Sequence, residues 1–128
     1  MRDVDIRTEA FRLVRFSIVG GGATIVHMAV SLSLAGVFSF AAQIANLIAF
    51  LTAFCVSFLG HYFYTFKSQQ AMSRVIPKFA IAAISGYAAS ALLLFLLRYV
   101  DIAGQIKLIL AAMVVPIVSY LINRFWVF

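Results

Sequence analysis

Charge is what this chain has least of. Of its 128 residues four are Asp or Glu and ten are Lys or Arg. No charged residue stands between Arg15 and Lys67, between Lys78 and Arg98, or between Lys107 and Arg124. Past Glu9 the only carboxylate side chain is Asp101, so paired-carboxylate acid and base chemistry has nothing to work with. The single cysteine, Cys55, excludes an internal disulfide. With His27 and His61 it is too dispersed in sequence to suggest a metal site. Gly20, Gly21 and Gly22 are not followed by lysine and a hydroxyl residue in the phosphate-loop spacing, so no nucleotide site is implied. No hydrolytic triad is visible. The expectation is a protein that is not an enzyme and carries no metal or cofactor.

What fills the chain instead is hydrocarbon. Hydrophobic residues make up 65% of it, charged residues 11%, and the mean hydropathy is +1.08. A soluble domain is about 45–50% apolar and about 25% charged. Each uncharged interval holds a helix across a bilayer, and the first holds two, at about 20 residues per crossing. The reading is an all-α membrane protein, one membrane domain over residues 1–128, with helices at about 16–37, 44–64, 77–97 and 106–126. Residues 1–15 form a basic lead-in that is suited to an interfacial helix, and Pro77 falls in the first turn of the third segment. The first segment is longer than a signal-peptide core and no clear cleavage motif follows it, so it is read as a mature helix.

The chain also says one thing twice. Val118 to Phe128 repeats Val56 to Phe66 at an offset of 62, with five of eleven positions identical and two more exchanging one aromatic for another. Arg15 Phe16 Ser17 Ile18 returns as Lys78 Phe79 Ala80 Ile81 at an offset of 63. Two tandem two-helix repeats follow, about 15–66 and 78–128. Two segments per unit make both units enter the membrane from the same side.

Orientation comes from Lys and Arg. The N-terminus, the middle loop and the C-terminal end carry four, three and one, whereas the other two loops carry none and two. That bias puts both termini and the middle loop in the cytoplasm. The net charge of +6 sits beside membrane segments facing anionic lipid, and with no nucleic-acid motif a nucleic-acid partner is not expected.

Polar and small residues recur along each apolar segment: Gly20, Thr24, His27 and Ser31; Asn46, Ala49, Ala53, Ser57 and Gly60, with His61 beside them; Ala82, Gly86 and Ser90; Ala112, Pro116, Ser119 and Asn123. Each set marks one helix face, and such faces pack together because lipid is a poor partner for them. The triglycine reads as a close-packing surface, and Pro116 as a kink. A packing seam explains the serines and alanines. His27 has two readings of equal standing, a structural hydrogen bond and a functional group in the membrane. Arg15, His61, Lys78 and Arg124 lie at the cytoplasmic interface, where snorkelling anchors with an aromatic belt are the ordinary explanation. The sharper one is a cationic, aromatic rim for a phosphate and a sugar.

Arg15 Phe16 with the glycines after it, Ala45 Asn46, Val56 Ser57 Phe58, and Asn123 Arg124 Phe125 Trp126 Val127 Phe128 together resemble the GtrA-like family of small four-helix membrane proteins. The resemblance runs from about Phe11 to Phe128. In that family asparagine and basic residues stand where this chain has His61 and Tyr62. The resemblance implies flipping of a polyprenyl-phosphate-linked monosaccharide across a bacterial or archaeal cytoplasmic membrane for cell-surface polysaccharide synthesis. It implies a groove lined by Thr24, His27, Asn46, Ser57, Ser119 and Asn123. Arg15, Arg124 and Lys78, with His61 nearby, would meet the phosphate on the cytoplasmic side, and Arg98 or Lys107 on the other.

Membrane lipids are the immediate neighbours, and four small helices imply a homo-oligomer, at least a dimer. Two other classes remain: a non-transporting anchor that recruits a glycosyltransferase, and a small multidrug-type exporter. The exporter generally needs a carboxylate within the membrane, which this chain lacks.

Overall fold

Asp5 starts the first helix. Its carboxylate accepts from the Arg7 backbone N–H at 3.1 Å and from the Thr8 hydroxyl at 2.9 Å, an N-cap that satisfies one of the orphan donors of a helix start. The computed structural model describes residues 5–128. From that cap α1 runs over Ile6–Gly36, α2 over Ala42–Gly60, α3 over Met72–Leu97 and α4 over Gly104–Ile122. Two five-residue π-helical turns continue α2 and α4 without a break, His61–Thr65 and Asn123–Val127. No strand occurs among the described residues.

All four helices are long and apolar enough to cross a membrane, and their large apolar side chains are mostly exposed. This makes the chain an all-α membrane protein with four candidate spans.

The boundaries differ from those expected. α1 begins at Ile6, ten residues ahead of the apolar run, because hydropathy marks where lipid begins and the Asp5 cap marks where the helix begins. The Arg12–Glu9 ion pair one turn apart supports the extension. The lead-in from Ile6 onward is therefore continuous with α1 instead of a separate interfacial helix; Arg2 and Asp3 lie outside the described residues. With 31 residues, α1 is about 46 Å long at 1.5 Å per residue, well beyond a hydrocarbon core of about 30 Å.

α3 likewise begins early. Val75 is fully buried and shares a face with buried Phe79, Ala82 and Gly86, so packing extends the helix back to Met72. Pro77 consequently lies in the second turn, not the first. Pro116 sits inside an uninterrupted α4.

The chain divides into two compact units, one ending at Ser68 and one beginning at Gln69. In the first unit α1 and α2 pack as a hairpin, reversed through Ser39, which takes a left-handed φ of 57°. The buried residues are Phe16 and Ala23 of α1, Ala45, Ala49 and Phe58 of α2, and His61 and Thr65 of the π turn. In the second unit α3 and α4 form a hairpin that buries Val75, Phe79, Ala82 and Gly86 against Ala111 and Tyr120, with Asn123 and Val127 of its π turn. Six buried positions correspond between the units at the sequence offsets of 63 in the first helix and 62 in the second: Phe16 with Phe79, Ala23 with Gly86, Ala49 with Ala111, Phe58 with Tyr120, His61 with Asn123, and Thr65 with Val127.

Close packing does not fall where the triglycine suggested. A Cβ added at Gly20, Gly21 or Gly22 would meet nothing within 4 Å. At Gly60 it would lie 2.6 Å from Val19 Cγ1, and at Gly86 3.3 Å from the Val115 carbonyl oxygen. Among the glycines of the described residues, Gly60 and Gly86 are the two that lie where a neighbouring helix approaches closely, beside the buried alanines Ala45, Ala49, Ala82 and Ala111. In α4 the expected face is also displaced: Ala112 and Pro116 are exposed while Ala111 is buried.

Candidate functional site

The two π-helical turns position the chemistry. A π turn carries one residue more than an α turn, which rotates the side chains after it by roughly 100° relative to a continuing α-helix. In each unit that turn is closed by a hydrogen bond between residues five apart. Phe66 N–H donates to the His61 carbonyl at 2.9 Å, and Phe128 N–H donates to the Asn123 carbonyl at 3.0 Å.

In the first unit His61 is 3% exposed. Its ring stacks on Phe16 at 4.5 Å and 18° between planes, its Nδ1 lies 3.1 Å from the Thr65 hydroxyl, and Phe66 meets Phe16 edge-on at 6.4 Å. His61 is thus a packed residue and not the snorkelling interfacial group expected from its place beside the aromatic border. On the outside of the same turn the Arg15 guanidinium lies over the Tyr64 ring, 5.3 Å from its centroid.

The second unit repeats the arrangement with other side chains. Phe79 meets Phe128 edge-on at 6.2 Å, and the Lys78 ammonium lies 5.6 Å from the Trp126 ring centroid. Arg124 lies over Phe125 at 5.4 Å. Gln70 donates to the carbonyls of Val127 at 3.4 Å and Phe128 at 3.2 Å, tying the start of the unit to its π turn. Asn123, where the first unit has His61, is fully buried. Its amide donates to the Ser119 carbonyl at 2.8 Å and hydroxyl at 3.2 Å, while its Oδ1 is buried with no hydrogen-bond partner among the described residues.

Each unit therefore presents a cation laid over a half-exposed aromatic ring: Tyr64 is 46% exposed and Trp126 48%. A cation above a ring is worth about 0.5–1 kcal/mol at an exposed site. That is enough to hold the charge in place and too little to prevent its meeting an anion, to which guanidinium and ammonium groups bind more strongly.

Further along the first hairpin, His27 Nε2 and Asn46 Oδ1 are 3.1 Å apart, bridging α1 and α2. Thr24, one turn away, spends its hydroxyl hydrogen on the Gly20 carbonyl at 2.9 Å, and Ser31 does the same with the Met28 carbonyl at 3.2 Å. Ser57 is half-buried in α2 one turn before His61.

Of the residues singled out from sequence, the first unit brings together Arg15 with Tyr64, His61 with Phe16, and His27 with Asn46. Among the described residues neither Thr24 nor Ser57 makes a side-chain hydrogen bond from one helix to another. The second unit joins Ser119 to Asn123. Sequence reasoning missed Thr65, Gln70 and the pairing of Lys78 with Trp126. The last was signalled by the offsets, because Arg15 and Tyr64 recur as Lys78 and Trp126.

Among the described residues no group of three or more His, Cys, Asp or Glu side chains could hold a metal ion. No individual curated protein matches the chain. Residues 15–128 match the family described as GtrA/DPMS, transmembrane domain. That span includes α1 from Arg15 onward, the other three helices, the cation and aromatic pairs at the π turns and both π turns, and on it the chain belongs to the GtrA/DPMS transmembrane-domain family, whose membrane function is related to lipid-linked sugars.

Proposed function

We propose that this protein flips a polyprenyl-phosphate-linked monosaccharide from the cytoplasmic to the outer leaflet of a bacterial or archaeal cytoplasmic membrane, supplying cell-surface polysaccharide synthesis or modification. The observation that carries the reading is the pair of cation and aromatic groups at the π turns, Arg15 over Tyr64 and Lys78 over Trp126. A sugar phosphate needs an anion partner and a flat apolar face for its ring, and each hairpin offers both beside exposed apolar helix surface where an isoprenoid tail remains in lipid.

No bond is made or broken in this function, so we read the chain as a transporter and not an enzyme. The two hairpins act as tandem repeats with both termini in the cytoplasm. The protein works as a homodimer, and flipping follows the gradient of substrate as a periplasmic glycosyltransferase consumes it.

One observation favours the second reading, an anchor that recruits a glycosyltransferase. α1 extends beyond hydrocarbon length, and Ile6, Phe11, Leu13 and Val14 of that extension are exposed, a surface suited to a protein partner.

Trp126 is the single tryptophan of the chain, so its emission reports on the second pair directly. Titrating a polyprenyl-phosphate-linked monosaccharide into nanodiscs holding the protein changes that emission saturably, and Lys78→Gln weakens the response. Emission that stays constant while the lipid is present in excess would leave transport without a head-group site and favour the anchor.

A further inference from the structure

The bridge between His27 and Asn46 is incomplete as a hydrogen-bonding unit. Asn46 Oδ1 can only accept, so at 3.1 Å His27 Nε2 is the donor, and in the neutral imidazole Nδ1 is then the acceptor. His27 then keeps one acceptor, and Asn46 keeps the two hydrogens of its amide nitrogen. Neither residue makes a second side-chain hydrogen bond among the described residues. Thr24 and Ser31, which flank His27 on α1, have given their hydroxyl hydrogens to carbonyls of their own helix, so they leave the pair's open groups unfilled. His27 is half-buried and Asn46 exposed.

Both side chains lie within spans long and apolar enough to cross a membrane, where unmet donors and acceptors are expensive. A packing staple would be enclosed and satisfied. This pair is open on one side and presents an acceptor next to donors.

That pattern selects a ligand chemistry. A phosphate or carboxylate offers acceptors only and is repelled by the Nδ1 lone pair; an ammonium offers donors only and is repelled by the amide hydrogens. A hydroxyl donates to Nδ1 and accepts from Asn46 with one oxygen. Adjacent hydroxyls of a sugar ring do so with two.

The pair also lies away from the charged rim. Arg15 and His27 are 12 residues apart on α1, about 18 Å at 1.5 Å per residue, too far for one phosphomonosaccharide head group to touch both. The second unit has no counterpart, since the positions at the same offsets are Ser90 and Leu108.

We propose that His27 and Asn46 form a station for the hydroxyls of the sugar, separate from the phosphate-binding rim and toward the α1–α2 loop side of the membrane. This rests on the transport reading and adds to it a site that distinguishes a sugar-bearing carrier from a bare one.

The test uses the full chain in nanodiscs with two probes, polyprenyl phosphate carrying one monosaccharide and polyprenyl phosphate without it. Wild type binds the sugar-bearing form about tenfold more tightly, the worth of two modest hydrogen bonds. His27→Phe and Asn46→Leu each lose most of that tenfold preference and keep only the part that stacking of the sugar ring at the rim supplies, while their affinity for the bare carrier stays that of wild type. A full tenfold preference retained in both variants overturns the assignment and leaves the transport reading standing. A wild type that binds neither probe sinks both.

Should the variants fail to fold, the nitrogen-15 resonance of His27 Nδ1 in wild type decides. It moves with the sugar-bearing carrier and not with the bare one. Movement produced by phosphatidylglycerol vesicles alone overturns the sugar assignment in favour of a lipid head group.

Discussion

His61 lies flat against Phe16, ring centroids 4.5 Å apart and planes 18° from parallel, and this stack joins the first π turn to α1. Phe16 is 8% exposed. Phe16→Ala therefore opens a cavity beside the turn and lowers stability by about 3–5 kcal/mol, read as a lower midpoint in detergent-induced unfolding. His61→Phe keeps a stacking ring and loses the hydrogen bond to Thr65, and falls by about 1 kcal/mol. Equal effects of the two changes would mean that the hydrogen bond, not the stack, holds the turn.

Gly60 and Gly21 separate close packing from mere smallness. At Gly60 a methyl group would lie 2.6 Å from Val19 Cγ1, and Val19, branched at Cβ, has little freedom to move aside. Gly60→Ala destabilises the first hairpin by about 1–3 kcal/mol, and adding Val19→Ala restores part of the loss. Gly21→Ala, with nothing within 4 Å, is neutral or stabilising by about 0.5–1 kcal/mol through helix propensity. Unfolding midpoints of the single and double variants check both.

Asn123 carries a polar atom that its surroundings do not use. Its buried Oδ1 lacks a partner among the described residues, a situation that costs about 1–3 kcal/mol. Asn123→Leu removes that burden at similar volume, so its stability equals or exceeds wild type. If the head group is the missing partner, the same variant flips lipid-linked sugar more slowly. Stability gained with transport unchanged would make Asn123 a structural residue only.

The orientation is open to direct labelling. In a Cys55→Ser background, cysteine placed at Gln69 is shielded in whole cells from a membrane-impermeant thiol reagent, while cysteine at Ser39 or Gln105 reacts. The reverse pattern would put both termini outside.

The sequence displayed the four segments because charge is absent from them, and it displayed the likeness of Val56 to Phe66 and Val118 to Phe128 because the two stretches share identities in register. Helix starts were hidden. The α1 start is set by a side-chain bond from Asp5, and the α3 start by the burial of Val75, and hydropathy senses neither. The π turns have no periodic signature, so the burial of His61 was not foreseen from its position beside the aromatic border. Glycine composition likewise cannot say which glycine faces a neighbouring helix: the triglycine drew the eye, while Gly60 and Gly86 make the contacts. The bridge of His27 to Asn46 depends on the register between α1 and α2, which only the folded hairpin sets.

The central claim is movement of the head group between leaflets, and proteoliposomes test it most directly. A polyprenyl-phosphate-linked monosaccharide is placed in both leaflets, and the fraction open to an external, impermeant sugar-modifying reagent is followed with time. With wild type the inner pool becomes accessible well ahead of empty liposomes, and Arg15→Gln together with Lys78→Gln slows that phase by about tenfold or more in protein that still folds. An inner pool that stays protected as long with wild type as with no protein would contradict the account.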